Sequence, residues 1–320
     1  MRLGICAIAL CSLALTACGS DSDGPPAENP PGDTSQGFNP PPAKEGYTRL
    51  VAPVIPNLEP GADIMYCQYV MAPVDHDLDI LDVGGYQSKM GHHAVAYATT
   101  APQPLGSSGP CTGEDNLTGV FVGGIGGEAG GGVTLPEGVG FRLPAGSSIM
   151  LNTHFLNVGK SAIDGETVLD VKFVPTDPAR KIASLFANGN LGFQVPARGT
   201  ADATAECVMP RDMDIIIFAN HMHDHGTHAM TEIERLDGTV EPIHEDPEWT
   251  YDMQFNGVYR TWPLDAPLHL APGDKLRTYC HWSNTTEASL SFPREMCFGV
   301  SYFISDGASA PTCINGRFLE

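Results

Sequence analysis

A chain of 320 residues is long enough for two domains of ordinary size, and a hydrophobic content of 42% is enough to fill their cores. Only 17% of the residues are charged, and the formal net charge is -21. Because no basic stripe is present to neutralise phosphates, this composition excludes nucleic acid as a partner and excludes electrostatic binding to anionic lipid.

Residues 1–17 have the pattern of a bacterial lipoprotein signal peptide. Arg2 is followed by an apolar run, Leu3–Leu15, which is too short to span a membrane permanently. The run ends in Leu-Thr-Ala before Cys18, which resembles a lipobox with cleavage before Cys18 and lipidation of its thiol. The alternative is an ordinary signal peptide with an incidental cysteine. We expect an extracytoplasmic protein that is anchored to the membrane through Cys18, and Gly19 favours the outer membrane where the host has one.

Residues 18–46 are rich in Pro, Gly, Ser and Asp and cannot bury apolar surface, so they predict a disordered tether. From residue 47 onwards, short β-rich runs alternate with Gly and Pro turns, and helical periodicity is almost absent. The predicted strands are Ala62–Met71, His93–Thr99, Ser148–Leu156, Thr167–Val174, Asp214–Asn220, Met230–Leu236, Lys275–His281 and Phe298–Ile304.

This pattern predicts an all-β protein with two consecutive antiparallel jelly-roll-like β-sandwich domains. The polar segment Pro175–Lys181 carries two prolines and predicts the join, which gives domains at residues 47–176 and 177–320. The glycine-rich segment Gly119–Gly132 lacks the Lys-Ser or Lys-Thr and the helix of a phosphate-binding loop, so we expect a flexible surface loop there.

Six cysteines remain after the signal peptide and Cys18, and no pair has Cys-x-x-Cys spacing. An even number in an exported protein predicts three disulfides, and the sequence alone permits roughly fifteen pairings. The six are Cys67, Cys111, Cys207, Cys280, Cys297 and Cys313.

Histidines are concentrated at strand ends. His221 and His223 are spaced by two, which places both rings on one face of a strand as a natural chelate. The adjacent pair His92 and His93 can bind one metal only if the backbone bends at Gly91; otherwise one ring is buried and the other exposed. By themselves, His154 in its strand and Met296 beside Cys297 are also typical of core positions, although a thioether is a soft ligand suited to copper(I).

Together these segments resemble the copper type II, ascorbate-dependent monooxygenases, that is, the peptidylglycine alpha-hydroxylating and dopamine beta-monooxygenases. The resemblance extends from about Asp63 to Cys313. It is carried, in order, by the phrases IMYCQYV, GHHAVAY, LPEGVGFRL, NTHFLN, ANHMHDHG and EMCFGVSYF.

The resemblance implies two coppers per chain, each held in one domain. The first would be held by His92, His93 and His154, and the second by His221, His223 and Met296, where catalysis takes place. His225 and His228 match no family ligand. The resemblance also implies the disulfides Cys67–Cys111, Cys207–Cys313 and Cys280–Cys297.

The implied reaction is hydroxylation of a C–H bond with O2 and a one-electron donor such as ascorbate, in a wet cleft between the domains. The peptidylglycine enzymes hold a peptide carboxylate with an Asn, a Tyr and an Arg. Those three positions are Phe298, Val300 and Ala219 here, so we expect a small, rather apolar organic substrate instead.

Two other functions remain open at this stage. One is a copper-binding or copper-storing surface lipoprotein without oxygenase activity. The other is a structural or ligand-binding sandwich with vestigial metal sites. The sequence does not indicate an oligomeric state.

Overall fold

The structure is a computed structural model that describes residues 37–101, 103–111, 119–128, 132, 134–254, 256–292, 294–305 and 311–319. The predicted signal peptide, Cys18 and the tether as far as residue 36 lie outside these described residues. In the part that is described, no helix has the length and apolar character needed to cross a membrane.

Eleven strands lie in the first half of the described chain. They are β1 (Thr48–Val51), β2 (Ile55–Leu58), β3 (Asp63–Met71), β4 (Leu78–Gln87), β5 (Gly91–Thr99), β6 (Ser108–Pro110), β7 (Gly119–Gly126), β8 (Val139–Leu143), β9 (Ser148–Leu156), β10 (Ile163–Gly165) and β11 (Thr167–Pro175).

A further eleven strands follow, together with a short 3-10 helix at Tyr251–Gln254. They are β12 (Lys181–Gly189), β13 (Thr200–Val208), β14 (Met213–His221), β15 (Gly226–Glu234), β16 (Val240–Asp246), β17 (Arg260–Thr261), β18 (Leu268–Leu270), β19 (Lys275–Ser283), β20 (Phe298–Ser305), β21 (Thr312–Ile314) and β22 (Arg317–Leu319).

The first sandwich consists of a five-stranded sheet in the order β6-β3-β9-β5-β7, facing strands β1, β11, β4 and β8. Side chains from both layers form one apolar core, because alternate residues of each strand point inward. Ile80 of β4, Ala94 of β5 and Leu151 of β9 are all completely or almost completely buried in it.

The second sandwich is built in the same way. A four-stranded sheet, β13-β19-β15-β16, packs against strands β12, β20 and β14, and Phe186, Phe218, Ile233 and Leu276 fill the space between the two layers. The fold class is therefore confirmed as all-β, with jelly-roll-like β-sandwiches.

One sheet passes through both sandwiches, because β8 pairs with β12 in parallel. Three rings, those of Phe121, Phe141 and Tyr302, pack together at this junction with centroids 5.5 to 5.6 Å apart. Between β11 and β12 the connecting segment carries Arg180, which pairs with the fully buried Asp79. The division into folding domains at residues 176 and 177 stays a prediction.

The glycine-rich segment was expected to be a surface loop, and that expectation is wrong for Gly119–Gly126. This segment is strand β7 and pairs with β5. Val122 and Ile125 are buried in the core, which gives the strand its inward face. Glycine at position 123 permits a backbone φ of 140° and close packing on Val83 of β4.

Three disulfides are present among the described residues, and they join the same pairs that the resemblance implies. Cys67 pairs with Cys111, Cys207 with Cys313, and Cys280 with Cys297. The last of these ties β19 to the residue directly after Met296.

Candidate metal centre

A bulge at the start of β5 turns two consecutive histidines toward one point. The pairing of β5 with β9 shifts register between Gly91 and His93, so the usual alternation of faces is interrupted. The Nδ1 atoms of His92 and His93 consequently lie 3.1 Å apart. A Cβ at Gly91 would overlap the Cβ of Gln87, so the bulge requires glycine.

His154 joins these two from the neighbouring strand β9. Its ring centroid lies 4.5 Å from that of His92 and 5.0 Å from that of His93. Its Nε2–H donates to Asp63 Oδ1 at 2.7 Å, whereas its Nδ1 is buried with no hydrogen-bond partner. An imidazole oriented in this way by a carboxylate leaves a lone pair on the other nitrogen, which is the usual arrangement at a metal.

The second sandwich also contributes to this first group. Gln254, in the 3-10 helix, accepts a hydrogen bond from His92 Nε2 at 3.1 Å, and its own Nε2 donates to the Tyr251 carbonyl at 2.9 Å. The second bond fixes the amide orientation, so the oxygen faces His92. This arrangement requires the proton of neutral His92 to be on Nε2, so the lone pair that could bind a metal is on Nδ1.

His221 and His223 form the second group, with ring centroids 5.3 Å apart. The sequence predicts both on one strand, but β14 ends at His221 and His223 lies in the turn that follows. His223 Nδ1–H donates to the Arg294 carbonyl at 3.0 Å, which leaves Nε2 with the lone pair. Trp249 Nε1 donates to the His223 carbonyl at 2.9 Å and helps to hold the turn.

A buried carboxylate that sequence reasoning missed connects this turn to the Met296 segment. Glu295 is completely buried and accepts hydrogen bonds from the backbone N–H of His223 and His225 and from Trp282 Nε1. Its position beside Met296 was visible in the sequence, but its partners depend on how β14, β15 and β19 come together.

Met296 and His223 line a small cavity of about 50 Å³ together with the three histidines of the first group. The ring centroids of His92 and His223 are only 5.5 Å apart. The structure therefore departs from the expected open, wet cleft, since the two groups adjoin. His221 borders a separate cavity.

Burial keeps four of these histidines neutral. It lowers the pKa of His92 to about 4, that of His221 to about 3 and that of His223 to about 4, and it lowers the pKa of His93 as well. Neutral imidazole is the form that binds metal.

The other two histidines of the motif take different positions. His228 is partly exposed and pairs with Glu245 at 3.1 Å. His225 lies beside Asp224 and Glu295, but Arg294 holds Asp224 with two hydrogen bonds of 2.7 and 2.8 Å. A cation there would face the Arg294 guanidinium, so we do not assign a metal to this group.

The cavity beside His221 has a volume of about 120 Å³ and contains two of the three predicted substrate-pocket residues, Ala219 and Val300. The third, Phe298, is not among its lining residues in the described chain. The Phe298 ring covers Gly189 of β12 instead. Tyr302 lines the cavity although it was not predicted, and its spacing of two from Val300 on β20 is the signal that would have found it.

The donor set fits copper. The first group offers three imidazole nitrogens within 4.8 Å of one another, and one of these nitrogens is buried and otherwise unpaired. Imidazole with a thioether is a soft combination that suits copper(I) better than magnesium, calcium or manganese.

No known family model matches the chain, and no curated protein matches it. Among solved structures, the major capsid protein P2 from Bacteriophage PM2 is 9% identical, covering 81% of this chain and 97% of that one with a TM-score of 0.31. PBCV-1 VP54, fitted into a reconstruction of the virophage Sputnik, is 6% identical, covering 85% and 98% with a TM-score of 0.31. Similarity at this level carries no argument about function.

Proposed function

We propose that this chain is a two-copper monooxygenase that hydroxylates a C–H bond of a small, rather apolar organic substrate. The observation that carries the proposal is the convergence of the predicted donors. They come from β5, β9, β14, the turn after β14 and the segment before β20. Five histidines and a methionine lie close together there, where the two sandwiches adjoin.

Copper bound by these donors would supply the redox chemistry, in which the substrate C–H, O2, two electrons and two protons give an alcohol and water. The electrons come from a one-electron donor such as ascorbate, used twice. The protein orients the donors: Asp63 and Gln254 fix two rings of the first group, and the Arg294 carbonyl fixes His223.

The cavity beside His221 is the place for the substrate in this proposal. Ala219, Val300 and Ile217 give it apolar walls, and His221 forms one side. An organic molecule held there excludes water from His221. The residues that would grip a peptide carboxylate are absent, which supports a substrate other than a peptide.

The protein would act outside the cytoplasm, tethered by a lipid on Cys18. The three disulfides support this location, because structural disulfides persist in oxidising compartments.

A second candidate is a copper-holding lipoprotein without oxygenase activity. It is favoured by the small cavity that His92, His93, His154, His223 and Met296 share, since adjoining donors are suited to retaining metal. Both functions predict copper, but only the first predicts turnover.

The test is O2 consumption by the purified, copper-loaded protein with ascorbate, over a panel of small organic compounds, with copper per chain measured on the same sample. We expect two coppers and O2 uptake that matches the amount of hydroxylated product. Two coppers with no product from any compound would favour the second candidate. A protein that binds no copper would contradict both.

A further inference from the structure

The cavity beside His221 has no charged wall. None of its lining residues is an Asp, Glu, Lys or Arg within the described part of the chain. A charged molecule would lose its hydration on entry and would meet no opposite charge, which costs several kcal/mol. A neutral molecule avoids this cost.

The cavity is also small. Its volume of about 120 Å³ is close to that of an engineered protein cavity of roughly 150 Å³ that binds benzene. One six-membered ring with a short substituent is therefore about the largest occupant that fits without a change in the walls.

Two of the polar residues in the wall are already committed. Asn220 donates to Asp246 at 2.8 Å and accepts from Thr231 at 2.6 Å. Both ends of the Gln254 amide are engaged by His92 and Tyr251. A ligand could hydrogen-bond to Asn220 or Gln254 only by breaking these existing buried bonds. Neither residue therefore determines which ligand binds.

Two phenols remain. Neither Tyr302 nor Tyr259 forms a hydrogen bond through its hydroxyl with any described residue, and both line the cavity. Tyr302 is 8% exposed, whereas Tyr259 is 44% exposed and stands nearer to solvent. The Tyr302 ring is fixed by Phe121 and Phe141, and burial raises its pKa, so the hydroxyl is a neutral group held in one place.

We infer that the cavity takes a neutral, single-ring-sized organic molecule with one hydroxyl or carbonyl group. That polar group hydrogen-bonds to the Tyr302 phenol, and the hydrocarbon part lies against Ala219 and Val300. Calling this molecule the substrate rests on the proposed function, whereas its binding requires no metal.

The test uses metal-free protein and five probes of similar size: benzyl alcohol, benzaldehyde, toluene, benzoate and benzylamine. Binding is measured by ligand-observed NMR. We expect benzyl alcohol and benzaldehyde to bind more tightly than toluene, and the two charged probes not to bind. Equal or tighter binding of benzoate or benzylamine would overturn the inference.

The Tyr302→Phe variant keeps the ring and removes only the hydroxyl. It should weaken benzyl alcohol roughly 2- to 10-fold, the value of one hydrogen bond, and leave toluene unchanged. Tyr279→Phe is the matched control, because that phenol bonds to Glu232 away from the cavity. Equal benzyl alcohol affinity in Tyr302→Phe and the native chain contradicts the assigned contact.

Ala219→Leu should fill the cavity and abolish binding of the three neutral probes, with thermal unfolding as the check on folding. Val300→Phe serves the same purpose if the first variant does not fold. Binding that survives in a folded variant places the ligand elsewhere. If the probes bind in the expected order but no O2 is consumed, the inferred ligand class stands and the monooxygenase proposal fails. If O2 uptake is coupled only to a charged compound, the monooxygenase proposal stands and the inferred ligand class is wrong.

Discussion

Gly91 lets two consecutive histidines turn toward one point, which is the proposed position of the first copper. Replacing it with alanine would push the new Cβ into Gln87, so the bulge must straighten or β4 must move. A straightened strand directs His92 and His93 to opposite faces. For Gly91→Ala we expect loss of one copper per chain and destabilisation of about 1 to 3 kcal/mol, measured by metal analysis and thermal unfolding.

Gly84→Ala is the matched control for this prediction. Gly84 lies on the same strand as Gln87, and a Cβ there meets nothing within 4 Å. We expect it to keep both coppers and a nearly unchanged unfolding temperature. Full copper binding by Gly91→Ala would show that the bulge does not position His92.

His223 allows the two donor groups to be separated experimentally. His223→Ala removes one ring of the second group and leaves His92, His93 and His154 with their own contacts. We expect copper to fall from about two per chain to one and turnover to be lost, as measured by metal analysis and O2 uptake. His228→Ala, at a partly exposed ring paired with Glu245, should retain both coppers and full activity. Retained turnover in His223→Ala would remove this residue from the catalytic site.

The family resemblance, rather than the residues taken singly, pointed to the candidate metal ligands, and it did not point to the groups that hold them. The spacing of His221 and His223, and the need for a bend at Gly91, were both visible in the sequence. Sequence reasoning did not identify the groups that orient the rings and the turn, which are Asp63, Gln254 and Glu295. Their partners lie 91, 162 and about 70 residues away along the chain. Contacts of that kind depend on which strands become neighbours.

At the scale of whole elements, the predicted strands agree best where residues alternate clearly. Ser148–Leu156 was predicted with the bounds that β9 has. The strand predicted to begin at Met230 begins at Gly226 instead, because pairing of Gly226 and His228 with β19 recruits polar residues that look like a loop. Strand β7 was missed for a similar reason, since its glycines conceal Val122 and Ile125.

The segment that carries Met296 is held by an element on each side. Cys297 is bonded to Cys280 of β19, and Glu295 bonds to the turn after β14. The disulfide encloses a separation of 17 residues, so its removal in Cys280→Ser with Cys297→Ser should cost about 3 kcal/mol. We expect weaker copper binding as well, because Met296 loses its fixed position.

This double variant needs a comparison in the first sandwich. Removing Cys67–Cys111 by the same substitutions should also lower stability but leave copper at the second group unchanged. Unfolding in denaturant gives the stability, and copper titration gives the affinity. Equal loss of copper affinity in both variants would contradict a specific role for Cys280–Cys297.

For the molecule as a whole, the sequence predicts two sandwiches but gives no signal that they share a sheet. The parallel pairing of β8 with β12 joins Val139 to Lys181 across the predicted boundary. No sequence motif marks this parallel pairing, so it could not be predicted. The junction matters for the proposed function, because the His92 and His223 rings lie 5.5 Å apart where the sandwiches adjoin, and Tyr302 lies beside both Phe121 and the cavity.

The shared sheet predicts that both sandwiches unfold together. Phe121, Phe141 and Tyr302 form one apolar cluster from both halves, and the buried Asp79 bonds to Arg142 and to Arg180 of the connecting segment. Opening one sandwich alone would expose these rings and leave that carboxylate without Arg180.

We expect one calorimetric transition for the metal-free protein, with equal calorimetric and van't Hoff enthalpies. Phe141→Ala, which removes one of the three rings, should destabilise by about 3 to 5 kcal/mol and divide the transition in two. Two transitions in the native chain would mean that the junction does not couple the sandwiches.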